Sequence, residues 1–180
     1  MAREYAFLMI DYEMPTFIKD LQNKIPKNEL YFGTDEEKKD NQYGLEKESH
    51  VTLAPCLDSD ADLTKLKELL LPLKEYKCIL NNISIFENDD YDVLKADVKC
   101  PNMHKTYDKI KENFELHSDY KDYHPHMTIA YLKPSLGKKY KKQMLDKIEE
   151  LTPTNFNFSN INDLSLIHIS EPTRPISISY

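Results

Sequence analysis

One five-residue phrase occurs twice in this chain. Residues 50–54 read His50-Val51-Thr52-Leu53-Ala54, and residues 126–130 read His126-Met127-Thr128-Ile129-Ala130. Both stretches favour β structure, and in a strand successive side chains point to opposite faces. His50 and Thr52 therefore share one face while Val51 and Leu53 take the other. The second copy divides the same way, with His126 and Thr128 set against Met127 and Ile129. Two strands that each turn an imidazole and a hydroxyl to one side can line a single cleft. A pair of imidazoles in such a cleft can act as general acid and general base near neutral pH. A lone His-x-Thr triplet is a common accident, but two copies with matching apolar flanks on two expected strands are not.

The copies start 76 residues apart in a chain of 180 residues, which suits an internal duplication in which each half contributes one His-x-Thr strand. Outside the phrase no repeat is visible. At this length the chain is one domain, or two small lobes sharing a core. Tyr5–Tyr12 reads as a buried strand, and a helix follows Pro15 with Phe17, Ile18, Leu21 and Ile25 at helical spacing. Glu29–Phe32 reads as a short strand, and 33–49 as a long charged loop of the kind that forms lids. Asp60 or Asp62 can cap a helix running to about Leu73. Cys78–Glu87 and Tyr91–Val98 read as a hairpin around Asn88-Asp89-Asp90. A helix is expected from Pro101 to Leu116, a third from Leu136 to Leu151, and a closing strand near Asn155–Leu166. The class is α+β, with two antiparallel sheets facing a central cleft and helices outside.

Composition narrows the chemistry. The net charge is −7, which does not suit a protein that coats long duplex nucleic acid. It leaves room for a nucleotide, a cyclic nucleotide or a short oligonucleotide held in a pocket. One local basic run follows the second phrase (Lys133, Lys138, Lys139, Lys141, Lys142), either as the solvated face of a helix or as a phosphate-attracting rim. No stretch approaches the roughly 20 apolar residues of a membrane span, and the start lacks a long apolar signal region. A cytoplasmic monomer with no membrane partner is expected. Cys56, Cys78 and Cys100 are scattered and odd in number, which points to reduced, partly buried thiols rather than disulfides or a zinc site. Two His and two Thr are also a poor zinc set, so no metal and no other cofactor is expected.

Cleaving a phosphodiester needs a nucleophile deprotonated and a leaving oxygen protonated on opposite sides of phosphorus. His50 and His126 can divide those tasks, in an order the sequence leaves open. Thr52 and Thr128 can donate to the non-bridging oxygens, where charge builds in the transition state. Tyr43, in the charged loop, is a candidate for stacking on a base. Tyr131 is a further candidate, although strict alternation turns it away from the His face and makes core or rim packing an equal reading. Lys133 is a candidate phosphate contact. His124 reads as a loop surface residue beside the cleft, and His104 and His117 read as exposed.

These residues resemble the two-histidine (2H) phosphoesterase superfamily, also called the LigT or 2′-5′ RNA ligase-like family. Its mark is a pair of H-x-[ST] motifs on strands of a bilobal α+β fold. The opening FLMIDYEMPTFIKDL is similar to the family's first strand and helix. YGLEKESHVTLAP, ISIFENDDYDVLKADVKCPNMHK and DYHPHMTIAYLK are similar to a subgroup common in bacteriophages. The resemblance spans about residues 3–160. It implies that His50 and His126 are catalytic and that Thr52 and Thr128 bind phosphate. It also implies metal-free cleavage of 2′,3′-cyclic phosphates, 2′-5′ links or cyclic oligonucleotides. A phage anti-defence enzyme that destroys nucleotide immune messengers in the host cytoplasm belongs to that range. The alternative is a protein that sequesters a nucleotide messenger or RNA end without cleaving it. The expected organisation is one bilobal domain over 1–163. Residues 164–180 (LSLIHISEPTRPISISY) look like a non-native tail from sequencing-adapter read-through.

Overall fold

The computed structural model describes residues 5–33, 43–118, 122–141, 149–160 and 166–169. In chain order the strands are β1 (Tyr5–Tyr12), β2 (His50–Asp58), β3 (Cys78–Glu87), β4 (Asp92–Lys99), β5 (His126–Leu132), β6 (Glu149–Leu151), β7 (Pro153–Asn160) and β8 (Leu166–Ile169). The helices are α1 (Thr16–Asn23), α2 (Leu63–Leu69), α3 (Pro101–Asn113) and a single turn, α4 (Lys138–Lys141). This is the mixed α+β class expected. The strands run antiparallel in the order β6-β3-β4-β5-β2-β1-β7-β8.

That order contains two four-stranded halves, β8-β7-β1-β2 and β5-β4-β3-β6. They meet where β2 lies beside β5, and that ladder consists of the single pair Val51–Met127. The two facing sheets of the sequence reading are thus two halves of one hydrogen-bonded sheet, joined by a thin seam. The seam is thin because β5 gives its next backbone groups elsewhere. Leu45 bridges Ala130, Glu46 N–H donates to the Ile129 carbonyl, and Tyr131 N–H donates to the Gly44 carbonyl.

One face of the sheet is the core. Leu8 and Ile10 of β1, Val51 and Leu53 of β2, Met127 and Ile129 of β5, and Phe156 and Phe158 of β7 are essentially inaccessible to solvent. Ile18 and Leu21 of α1, Leu66 of α2, and Met103 and Ile110 of α3 cover that face. This is the half-buried pattern of an antiparallel sheet. Each apolar residue of the two phrases is therefore an anchor, and burying one Leu or Ile side chain contributes about 1.5–3 kcal/mol. The other face carries the His and Thr residues. Asp62 caps α2, its carboxylate accepting from the Thr64 and Lys65 amides. Pro101 opens α3 at its first turn.

Several local expectations change. Glu29–Phe32 is not a strand: Lys27–Glu29 forms a 3-10 turn, and only Leu30 bridges to Leu132. Backbone bonds from Tyr31 N–H to the Tyr131 carbonyl and from Lys133 N–H to the Glu29 carbonyl flank that bridge. The helix begun at Asp62 stops at Leu69 because Pro72 cannot continue it, and a 3-10 turn follows at Leu73–Tyr76. The expected helix over Leu136–Leu151 is described as helix only at Lys138–Lys141; residues 142–148 lie outside the described residues. Glu149–Leu151 is instead β6, paired to β3. Residues 166–169 pair with β7 as its outer neighbour. The three cysteines are free thiols, as expected. Among the described residues, no helix is long and apolar enough to cross a membrane.

Candidate functional site

The single pair at the seam fixes the geometry of the two phrases. With Val51 opposite Met127 in an antiparallel pair, His50 falls opposite Thr128 and Thr52 falls opposite His126. Directly opposed Cα atoms in such pairs lie about 4.5–5.5 Å apart. Val51 and Met127 point into the core, so the four polar side chains point the other way, and all four are partly exposed. They make a quadrilateral with the histidines on one diagonal and the threonines on the other. A tetrahedral group resting over its centre would have an imidazole on each of two opposed sides and hydroxyls on the sides between.

The repeat extends to backbone irregularity. Met9 pairs with Thr52 but Leu8 pairs with Ala54, and Lys95 pairs with Thr128 but Leu94 pairs with Ala130. Each phrase thus carries an extra residue, a β-bulge, directly after its Thr. The burial pattern from His to Ala is the same in both strands. The bulge corrects the expectation for Tyr131. Tyr131 pairs with Val93 and Thr128 with Lys95; Val93 and Lys95 are two apart on β4 and share a face. Tyr131 is therefore on the His126 side, contrary to strict alternation.

The polar face continues outward along both halves. His50 pairs with Asp11 and Asp11 with Asn155; His126 pairs with Asp97 and Asp97 with Asn82. One step along, Thr52 leads to Met9 and Asn157, while Thr128 leads to Lys95 and Ser84. Asp11 accepts from the side-chain amides of Asn155 and Asn157. Asp97 accepts from Lys95 Nζ at 2.8 Å, from Ser84 Oγ at 2.7 Å and from Asn82 at 3.4 Å. Burial raises the Asp11 carboxyl above the usual carboxylate range against the pull of Asn157 and of the His50 charge. Burial also acts to raise Asp97, but the Lys95 and Ser84 hydrogen bonds and the Lys95 charge outweigh it and hold that carboxyl low.

The two histidines stand in different surroundings. His126 Nδ1 lies 2.9 Å from the His124 carbonyl oxygen, which can only accept, so Nδ1 carries the hydrogen and Nε2 of the neutral ring is left with its lone pair. Burial lowers the His126 pKa, and the charges of Lys95 and His50 add to that, against the His124 hydrogen bond and Asp97. The Phe86 and His126 rings meet nearly perpendicular, at a centroid distance of 5.3 Å. His50 Nδ1 is buried and has no hydrogen-bond partner among the described residues. Asp11 is its partner across the ladder. Glu46 is raised by burial, and the His50 charge pulls it back.

Tyr43 packs in a cluster of four rings rather than lying free in a loop. Its centroid is 5.0 Å from Tyr31, 5.5 Å from Tyr91 and 5.2 Å from Tyr131. Gly44 makes this possible. Its φ is +87°, and an added Cβ would come within 2.8 Å of the Phe32 ring, so glycine is needed to turn Tyr43 back over β5. Lys133 lies one residue past β5 with its side chain exposed, and its N–H donates to the Glu29 carbonyl. Two lysines of the basic run are paired, Lys138 with Glu87 and Lys139 with Glu29; Lys142 lies outside the described residues. His124 is exposed and serves through its carbonyl. His104 is exposed as expected. His117 is not: its side chain is 13% exposed, with Nε2 3.2 Å from Asp58 and its ring against Tyr5. The reason is that its N–H bonds to the Cys56 carbonyl, drawing 117 alongside β2.

Sequence reasoning passed over Asp11, Glu46, Ser84, Lys95 and Asp97. A signal was available for three of them: Asp11 is the one charge in YAFLMIDY, and Lys95 and Asp97 are an i, i+2 charged pair inside an apolar strand. Among the described residues, no group of three or more His, Cys, Asp or Glu is placed to hold a metal ion.

No curated protein matches this chain. A family model, that of the 2′-5′ RNA ligase superfamily, matches residues 16–168, which contain both His-x-Thr strands and the seam between them. The repeated phrase, the diagonal of histidines it builds and the extent of that match agree: the chain belongs to the 2′-5′ RNA ligase superfamily, whose LigT-like members are 2H phosphoesterases.

Proposed function

We propose that the protein is a metal-independent phosphodiesterase that cleaves nucleotide or short oligonucleotide phosphodiesters, with His50 and His126 as acid and base. The family acts on RNA or nucleotides as phosphoesterase or ligase. The observation that carries the narrower reading is the diagonal pair of histidines across the Val51–Met127 seam. Two imidazoles on opposed sides of one phosphate suffice for proton removal and delivery.

The surroundings of the two rings support a division of roles. His126 is the base, because its Nδ1–H is committed to the His124 carbonyl and burial and Lys95 disfavour its charged form. His50 is left as the acid, standing across the ladder from the Asp11 carboxylate. On a 2′,3′-cyclic phosphate, His126 Nε2 takes a proton from water as the water oxygen bonds to phosphorus. The bond to one ribose oxygen breaks, and His50 gives that oxygen its proton. On a 2′-5′ or 3′-5′ link with a neighbouring free hydroxyl, His126 activates the ribose hydroxyl and His50 protonates the 5′-oxygen. Thr52 and Thr128 donate to the non-bridging oxygens. Tyr131, Tyr43 and Lys133 would contact the rest of the substrate, Tyr131 most directly since the bulge turns it to the His126 side. Destruction of cyclic or 2′-5′ immune messengers during phage infection is the finer reading, supported by the similarity of three stretches to phage members of the family.

The test is incubation of the pure protein with 2′,3′-cyclic mononucleotides, 2′-5′ and 3′-5′ oligoadenylates, and cyclic di- and trinucleotides, with products read by mass-resolved chromatography. Conversion of at least one class is expected. A ligand that binds tightly and is recovered intact would replace cleavage by sequestration.

A further inference from the structure

The face that would receive a phosphate is rich in negative charge: Asp11 and Glu46 beside His50, Asp97 beside His126. A phosphodiester brings another negative charge and gathers more on its non-bridging oxygens in the transition state. Two threonine hydroxyls and one imidazolium must balance this unless a cation is nearby. Among the described residues, one lysine or arginine is buried, and it is Lys95. It is the ladder partner of Thr128 on the face of the two histidines.

Burying an ammonium is costly unless it is paired, and this one is held from three sides. Nζ donates to Asp97 Oδ1 at 2.8 Å and to Ser84 Oγ at 2.5 Å, and it sits 4.4 Å over the Phe86 ring centre. Ser84 in turn donates to the same Asp97 oxygen at 2.7 Å. An ammonium has three donors, of which Asp97 and Ser84 take two. Asp97 thus both neutralises the lysine in the resting protein and fixes its position beside Thr128. At the equivalent ladder position of the other half, the residue is Met9, which pairs with Thr52.

We propose that Lys95 is the phosphate-binding cation of the cleft, with its third N–H taking a non-bridging oxygen on the Thr128 side, so that the phosphate is bound asymmetrically against the β3-β4-β5 half. This rests on the phosphodiesterase reading and adds a residue and an orientation to it. A preorganised cation aimed at developing charge in a dry site is among the stronger catalytic devices. The same positive charge stands near His126 and favours its neutral form, so removing it has a second consequence that a purely structural lysine would not have.

The test has two arms. In the first, binding of adenosine 2′-monophosphate is measured by calorimetry for the wild type, Lys95→Met and Lys95→Arg, which needs no turnover. Since a lone Asp97 left behind would strain the fold, the double variant Lys95→Met/Asp97→Leu is measured as well, with thermal melts for all. Affinity should fall about tenfold or more in both Met variants, as for loss of a hydrogen bond between charged groups, and recover at least in part with Arg. In the second arm, kcat/KM is followed against pH on whichever phosphodiester the wild type cleaves. Both Met variants should lose about 100-fold, and in Lys95→Met, where Asp97 stays, the acid limb should move to higher pH. A folded double variant that binds adenosine 2′-monophosphate like the wild type, or a folded Lys95→Met that cleaves with an unmoved acid limb, overturns the role of Lys95. A wild type that cleaves nothing while binding remains Lys95-dependent overturns the phosphodiesterase reading and leaves the phosphate site standing.

Discussion

The β1-β2-β7 half and the β3-β4-β5 half are the same ladder filled differently. Each runs His, Asp, Asn along one row: His50, Asp11, Asn155 in one and His126, Asp97, Asn82 in the other. The next row starts from Thr in both and then diverges, to Met9 and Asn157 in one half and to Lys95 and Ser84 in the other. That single exchange inverts the electrostatics. Asp11 sits among neutral amides, and burial raises it; Asp97 sits against an ammonium and a hydroxyl, which hold it low. The two histidines are matched in position and unlike in surroundings, and the proposed mechanism rests on that difference in taking His126 as the base and His50 as the acid.

The largest test of the comparison asks whether both halves are needed. His50→Ala and His126→Ala should each lower kcat by about 10³-fold, within the usual range for a lost general acid or base. Both variants should melt like the wild type, because each side chain stands on the open face. Loss in one variant only would mean that the halves do not share one reaction.

Next in size is the contrast between the two aspartates. Asp97→Asn leaves the buried Lys95 without its anion and should destabilise the protein by about 3 kcal/mol at neutral pH. Asp11→Asn keeps an oxygen for Asn155 and Asn157 and should change stability by less than about 0.5 kcal/mol. The sign with pH follows from the shifts. A carboxyl with a lowered folded pKa adds stability above its unfolded value, near 3.9, and loses it as pH falls through the folded one. The Asp97→Asn penalty should therefore shrink in strongly acidic buffer, while Asp11→Asn shows no such recovery. Denaturant midpoints at several pH values read both.

Thr52→Val and Thr128→Val should each cost about 10- to 100-fold in kcat/KM, as for a hydrogen bond to a charged group. Tyr131→Ala should raise KM by about tenfold with kcat less affected, since base stacking is worth roughly 1–3 kcal/mol. Lys133→Ala, at an exposed position past β5, should change kcat/KM by less than about threefold, a change that added salt removes.

The candidate site was legible in the sequence where chemistry and spacing coincide, as in His50, Thr52, His126 and Thr128. Their common face follows from alternation alone. The likeness of the two halves was legible only at the phrase, because YAFLMIDY and DVLKADVK share little besides the aspartate each sets beside its histidine. That equivalence exists in the pairing register, which no single strand displays. Tyr131 was misplaced because the bulge after Thr128 depends on how β4 pairs with β5. The expected helix to Leu151 missed β6, since Glu149–Leu151 is strand only by virtue of lying against β3. Lys95 escaped notice because its meaning comes from Asp97 on its own strand and from Ser84 and Phe86 on β3.

The central claim is that one cleft, built by both halves, runs acid–base chemistry with two histidines and no metal. The most direct measurement is kcat/KM against pH on the preferred phosphodiester, in excess EDTA. The account predicts full activity and a bell-shaped profile. Its acid limb should lie below the ordinary histidine value near 6.5, because His126 must be neutral to act and its pKa is lowered. Abolition by EDTA, or an acid limb at or above that value, would contradict it.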